Sequence, residues 1–416
     1  MNSIFSYSLF ITLLYFFIYD PPFAFLGGIR LSYIFIVLSL LYVSLYNYKQ
    51  WWLYFRLFQT ELCFFSIVVC FSFVRSGIMG DYMYIVRHIL SLLYIIAVIP
   101  ILLTLSKKLG ITTENKMIKG ILVTSSIAGC ISLACVVIPP FNDIVKNVII
   151  QYQEEDYLYG KFNRGFGIAN GLTSSYGYIQ GTIVALGLMY LKENKWFLFF
   201  IPVVFFSALI NARTGVLMTF WGCIVLFFSK NKKTLFPIIA LTIGFIYYLK
   251  DIMSFIGFNE YTIAWILDFQ DQLKELYSGN YSTGTTSKMF KMVWPQKEFE
   301  WIVGRGVDLF RFKTSAEHSD MGWLIQLNYG GFLYIIPLYG GFLFMVNRLF
   351  NKNLHFFAYL FLGVVIICNT KSKIFPTTSF FPLLVLIYYV VISKMRPFIS
   401  RMAEIKNKDH IRLFLR

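Results

Sequence analysis

The sequence predicts an all-α polytopic membrane protein of about twelve transmembrane helices. Three observations carry that expectation. The 416 residues are 57% hydrophobic and only 14% charged, with a mean hydropathy of +0.65, whereas soluble domains sit near 25% charged. Apolar runs of roughly 17–25 residues recur, which suits helices; the strands of a barrel would alternate apolar and polar residues. Short loops rich in Lys and Arg recur at every second turn of the chain, as the positive-inside rule requires of cytoplasmic loops.

Taken in order, the expected spans are 3–19, 23–46, 57–74, 82–105, 119–139, 173–191, 196–210, 215–229, 234–249, 321–346, 354–369 and 374–393. The first carries no basic n-region, and no small-residue cleavage site follows it, so it reads as a retained helix. Lys49 and Arg56 follow the second span, Lys107, Lys108, Lys116 and Lys119 the fourth, and Lys192 with Lys195 the sixth. Lys230, Lys232 and Lys233 follow the eighth, Arg348 and Lys352 the tenth, and the tail holds seven more Lys and Arg from Lys394 to Arg416. Both termini are therefore expected in the cytoplasm. The net charge of +16 reads as this loop bias meeting anionic lipid, with no nucleic-acid partner. Six cysteines (Cys63, Cys70, Cys130, Cys135, Cys223 and Cys368) fall in apolar runs without metal-ligand spacing, and read as small core residues.

Within this single integral membrane domain, 1–416, the other side holds two long loops, 140–172 and 250–320. Loops of that length in a compact fold are functional or disordered. The second has a helical pattern, with Trp265, Ile266, Phe269 and Leu273 on one face and Asp268, Asp271, Gln272 and Glu275 on the other. Gly279 to Gly284 breaks it, and it restarts from Met289 to Trp294, as a cap on the outer rim would. No internal repeat is visible.

The chemistry gathers on that outward side. Residues 302–334 run through Gly304-Arg305-Gly306, Arg311 and His318-Ser319-Asp320 into an apolar run with Gly330-Gly331. Arg164 lies in Phe162-Asn163-Arg164-Gly165, and Arg213 in the tight turn Asn211-Ala212-Arg213-Thr214-Gly215. Arg75, Arg87 and Arg30 lie at or just inside the same side. Arg within a span costs a few kcal/mol, so it normally has a partner, and guanidinium forks match phosphate oxygens in pairs. The bland alternative is that each Arg snorkels or pairs with a carboxylate such as Glu154, Glu155, Asp156 or Glu298. His318 is the foremost candidate base, because imidazole titrates near neutral pH. Its own bland alternative is a packed loop histidine, with Ser319 or Asp320 capping the next helix. His88 is a weaker second candidate; His355 and His410 are expected to be cytoplasmic. There is no P-loop, no Gly-x-Ser-x-Gly and no Asp-x-Asp, which argues against a metal-bound nucleotide-sugar site.

The ordered set Arg164-Gly165, Arg213-Thr214-Gly215, Gly304-Arg305-Gly306 and His318-Ser319 with Gly330-Gly331 resembles the superfamily of O-antigen polymerases (Wzy type) and O-antigen ligases. The likeness covers roughly residues 120–350. One departure is Ser287-Lys288, where members of that family often carry an Arg followed by a Trp; here Trp294 lies beyond. The resemblance implies a glycosyltransferase of the bacterial inner membrane with a periplasmic site. Two undecaprenyl-diphosphate-linked oligosaccharides, donor and acceptor, would meet there in lipopolysaccharide biosynthesis. It implies catalytic roles for His318, Arg164 and Arg213, and substrate binding by Arg305, Arg311, Lys288, Arg87, Arg75, Ser319 and Asp320. No metal and no cofactor would be needed, and a chain-length regulator is a partner the resemblance allows. A ligase handing polymer to lipid A-core shares the donor chemistry. A lipid-linked oligosaccharide flippase would instead place charges near the bilayer midplane in two similar halves. A metal-dependent transferase would need a carboxylate in the first outward loop, which is the short Asp20-Pro21-Pro22.

Overall fold

The computed structural model describes residues 3–27, 29–80, 82–149, 167–169, 174–191, 193–228, 247–258, 260, 262–264, 266–267, 293–309, 319–377 and 380–393. Among the described residues the structure is helical, with one isolated bridge between Phe23 and Ile149. Four helices are long and apolar enough to cross a membrane: Gln59–Met79, Tyr84–Lys108, Glu114–Val137 and Gly322–Asn351. Shorter apolar helices accompany them, and large apolar side chains such as Phe73, Val74 and Ile78 point outward from the bundle. Such faces are consistent with an α-helical membrane protein.

Helices overlie every expected run except 234–249, which lies almost wholly outside the described residues. They are α1 (Ser3–Tyr19), α2 (Leu31–Tyr42), α3 (Tyr48–Leu57), α4 (Gln59–Met79), α5 (Tyr82–Leu93), α6 (Ile99–Lys108) and α7 (Glu114–Val137). After these come α8 (Pro139–Val148), α9 (Ser174–Tyr190), α10 (Phe197–Asn211), α11 (Arg213–Phe228), α12 (Leu249–Ile256), α13 (Glu298–Val303), α14 (Gly322–Asn351), α15 (His355–Lys371) and α16 (Phe380–Ser393). Two expected boundaries move. The run 23–46 opens as a short 3-10 turn, Ala24–Leu26, and becomes helix only at Leu31. Asp20 ends that opening: it is fully buried, and its carboxylate accepts from both the amide and the hydroxyl of Ser32. The loop expected at 140–172 starts as the helix α8, whose Pro139-Pro140 occupies the first helical positions, where a missing N–H costs nothing.

The helix α16 is apolar all round and buried along its whole length, so the bundle is built about it. Beside it α9 and α11 touch through small residues. A Cβ on Gly181 would stand 2.2 Å from the Gly215 carbonyl, and one on Gly177 2.5 Å from the Ala212 methyl. Without a hydrophobic drive between helices in lipid, such backbone approach is how they associate. Between α2 and α3, and between α5 and α6, the chain passes through π-helical turns, Val43–Asn47 and Tyr94–Val98. The indole of Trp51 donates to the Ile96 carbonyl inside the second, at 2.9 Å, which satisfies backbone that such a turn distorts.

α14 packs against α4 on one side and α15 on the other. In the first turn of α4, buried Glu61 is held by Arg348 of α14 at 2.6 Å and by the Tyr388 hydroxyl of α16. Arg75 stands near the opposite end of α4. The start of the long second loop folds back onto the bundle, with Met253, Phe258 and Ile266 packed against Leu209, Ile210 and Val216. The cysteines correct the expectation in part. Cys135 and Cys368 are buried, but Cys63, Cys70 and Cys130 are exposed on the outer faces of α4 and α7, where a small apolar side chain suits an apolar surround as well as a core.

Candidate functional site

The site grows from an interruption in α14. Gly331 has φ 58° and ψ −158°, so the helix breaks there; that region of backbone space is open to glycine and essentially no other residue. A helix interrupted in this way frees carbonyls in the turn before the break, and they must find donors. The donors come from the turn that ends α13. The amide of Arg305 donates to the Asn328 carbonyl at 2.6 Å, and the amide of Gly306 lies 3.1 Å from the carbonyls of both Asn328 and Tyr329. The approach is backbone on backbone: a Cβ on Gly304 would lie 2.5 Å from the Gly330 nitrogen, and one on Gly331 2.5 Å from the Ile302 carbonyl. The glycines at 304 and 331 therefore serve one contact, the docking of the Gly-x-Gly turn on the broken helix, while Gly306 lets the turn lie against Met79 and Arg75 of α4.

Three further groups fix the turn. Arg75 of α4 donates through Nη2 to the Gly304 carbonyl at 2.7 Å. Asp308 forms an ion pair with Lys373 at 2.7 Å, both side chains nearly out of solvent. The Asn328 amide donates to the Val293 carbonyl at 2.8 Å, tying in the strand of chain before α13. Over this lies an indole cluster, with Trp294 5.6 Å from Trp301 and 5.2 Å from Trp323 between ring centres. Glu300 accepts from the amides of Gln296 and Lys297. These two backbone bonds, the Gln296 one first, hold its carboxyl below the usual carboxylate range, and the nearby Arg305 guanidinium helps.

Behind the turn, Lys373 sits 4.5 Å above the Tyr84 ring, and Tyr84 leads to His88. That histidine is fully buried. Its Nδ1 faces the Tyr84 carbonyl at 2.9 Å, so this nitrogen carries the proton, and in the neutral ring Nε2 accepts from the Tyr334 hydroxyl at 2.7 Å. Tyr329, whose hydroxyl meets Ser76 at 3.2 Å, closes the ring of aromatics. Both nitrogens of His88, the weaker second candidate, are thus engaged inside the protein, and the ring positions Tyr334 just beyond the break.

The expected site residues divide as follows. Arg75 and Arg305 are brought to one turn, and Arg87 is exposed on α5, next to His88. Ser319 is buried, and its Oγ accepts from the Met321 amide at 3.2 Å, a local turn that leads into α14. Asp320 is half-buried. It lies near Tyr178 of α9, whose hydroxyl donates to the Cys368 carbonyl at 3.5 Å. Arg213 itself is placed by its backbone at the first position of α11. His318, Arg164, Arg311 and Lys288 lie outside the described residues, as do Glu154, Glu155 and Asp156. Among the described residues no three His, Cys, Asp or Glu side chains come together.

Sequence reasoning missed Asp308, Lys373, Tyr84 and Tyr334. Asp308 was legible as the first carboxylate after the Gly-Arg-Gly turn, and Lys373 as one of two lysines, with Lys371, in the short connection between two apolar runs. The tyrosines carry no signal in a chain with 28 of them. What the arrangement offers chemically is positive charge from Arg75 and Arg305, held on a docked turn, while Lys373 is matched by Asp308. No family model and no curated protein sequence matches the chain.

Proposed function

We propose that the chain is an O-antigen polymerase, a glycosyltransferase that uses lipid-diphosphate-linked oligosaccharide on the periplasmic side of the bacterial inner membrane. The observation that carries this reading is the Gly304-Arg305-Gly306 turn, held on the broken α14 beside Arg75. Cations on such a rigid turn suit a diphosphate that must be gripped as it leaves. In this reading twelve spans enclose the site, both termini are cytoplasmic, and lipid tails stay in the bilayer while headgroups meet at the outer rim.

The reaction balances simply. A sugar hydroxyl of the incoming single repeat attacks the anomeric carbon of the growing polymer, and His318 takes the hydroxyl proton. The bond from that carbon to the diphosphate oxygen breaks, and the lipid diphosphate departs with its electron pair. Arg164, Arg213 and Arg305 stabilise the charge that develops, each charge-assisted bond being worth about 1.5–3 kcal/mol. Arg311, Lys288 and Arg87 would line the approach. Arg75 has a double task, splinting the turn through Gly304 and adding charge.

The test is the lipopolysaccharide banding pattern of a host deleted for this gene, then complemented. Core bearing a single repeat in the deletion supports polymerase. Core with no repeat refutes it and points to the ligase, or to a flippase. Complementation by Arg305→Ala or His318→Ala at normal membrane abundance should lower long-chain product at least about tenfold, since one lost phosphate contact exceeds 1.4 kcal/mol. A full ladder from either variant removes that residue from the mechanism.

A further inference from the structure

At the opposite end of the bundle from this site, α1, α2 and α6 leave a slot of about 380 Å³ between them. Its walls come from successive turns of single helix faces: Phe35, Leu38 and Tyr42 on α2, Leu102 and Leu105 on α6, and Phe17 on α1. The slot opens sideways, with Leu38 57% exposed at its rim. From Phe35 to Tyr42 is seven residues, or about 10 Å of helix. That is roughly a third of a 30 Å hydrocarbon core, so the slot belongs to one leaflet.

One end of the slot is charged. Lys108 lies one helical turn beyond Leu105 on the same face of α6. Its ammonium donates to the Tyr42 hydroxyl at 3.0 Å and sits 5.6 Å from that ring's centre. Tyr42 lines the slot, so it holds the cation at the mouth and leaves the other two ammonium protons for an anion. Half-buried Lys107 is its neighbour. On the positive-inside pattern this mouth faces the cytoplasm.

We propose that this slot binds one anionic glycerophospholipid of the cytoplasmic leaflet, with an acyl chain between α2 and α6 and its phosphate on Lys108. The argument for this occupant is charge complementarity at the end of an apolar channel of one-leaflet depth. A zwitterionic lipid would fill the slot equally well but would gain less from the lysine. The site is independent of the glycan chemistry at the other end of the bundle.

The test is native mass spectrometry of the full-length protein in detergent, titrated with phosphatidylglycerol and phosphatidylethanolamine of identical acyl chains. A basic residue at a membrane surface contributes about 1 kcal/mol, so wild type should favour phosphatidylglycerol about fivefold for its first bound lipid. Lys108→Gln should bring that ratio close to one. Lys352→Gln, at a different basic loop, should leave it unchanged. Leu105→Trp fills the slot and should abolish the first lipid of either kind, and Leu38→Trp, at the exposed rim, does the same without burden on the core. The proposal fails if Lys108→Gln keeps the preference, or if Lys352→Gln loses it equally. It fails also if both tryptophan variants bind as wild type does, or if glycerol 3-phosphate alone competes as well as the lipid.

Discussion

Replacing Gly331 by alanine tests whether the break in α14 and the Gly-x-Gly turn depend on each other. The residue sits at φ 58°, ψ −158°, where a side chain costs about 1–3 kcal/mol. The added methyl would stand 2.5 Å from the backbone carbon and oxygen of Ile302 and 2.6 Å from the Gly304 nitrogen. Backbone atoms cannot rotate aside as a long side chain can, so the strain cannot be relieved locally. The chain's other course is to straighten the helix and release the turn. That surrenders the bonds from Arg305 and Gly306 to the Asn328 and Tyr329 carbonyls, at about 1 kcal/mol net for each. By either course the docked state loses about 3 kcal/mol, more than a hundredfold in the docking equilibrium. Hydrogen exchange followed by mass spectrometry reads this directly. The amides of Arg305 and Gly306 should exchange about a hundredfold faster in Gly331→Ala than in wild type. Gly77→Ala is the control: it lies inside α4 with open space where the methyl would go, and should stabilise by up to about 1 kcal/mol. Unchanged protection at 305 and 306 in Gly331→Ala would refute the coupling.

Two further perturbations probe what holds the turn. Asp308→Asn strands Lys373, and breaking a buried pair costs about 3–5 kcal/mol, so the thermal midpoint in detergent should fall. Asp308→Leu with Lys373→Met removes both charges and should recover more than half of that loss; strictly additive losses would sink the idea of a coupled pair. Acid acts through Glu300, whose carboxyl is held below its ordinary 4.5 by the Gln296 and Lys297 amides. A depressed folded value means the unfolded state takes up the proton more readily, so the stabilisation is complete above the ordinary value and fades as pH falls through the folded one. Emission from the Trp294–Trp301 cluster should therefore change on acidification below 4.5, and Glu300→Gln should flatten that response. A pH response unaltered in Glu300→Gln assigns it elsewhere.

The helices were legible because hydropathy and period are local properties. Apolar runs mark α4, α7 and α14 without reference to any other part of the chain. The start of α8 was not legible, because Pro139-Pro140 suits the first positions of a helix as well as it suits a loop, and the stretch was expected as loop. The break was not readable. Residues 321–346 form one apolar run, and a glycine pair inside such a run more often serves close packing than a change of direction. Asp308 and Lys373 are separated by 65 residues, and neither has a neighbour in sequence that identifies the other. His88 was read only as a weaker candidate base; Arg87 beside it faces outward while His88 turns in to Tyr334. Position on a helix decided that, and position is fixed by packing.

The same logic explains why the cations lie on a loop and yet are held firmly. A loop over an apolar bundle is ordinarily free to move, because little of its backbone is bonded to what lies beneath. Here the helix beneath is broken, and its exposed carbonyls are costly in an apolar surround unless a donor arrives from outside the helix. The Gly-x-Gly turn supplies those donors, and glycine alone lets the two backbones come close enough for the bonds to form. Break and turn thus satisfy each other, and Arg305 inherits the rigidity of α14 although it lies in a loop. Moving the break by one residue would carry the freed carbonyls about 100° round the helix, away from the turn. For that reason the glycine at 331 cannot be exchanged for one at 330.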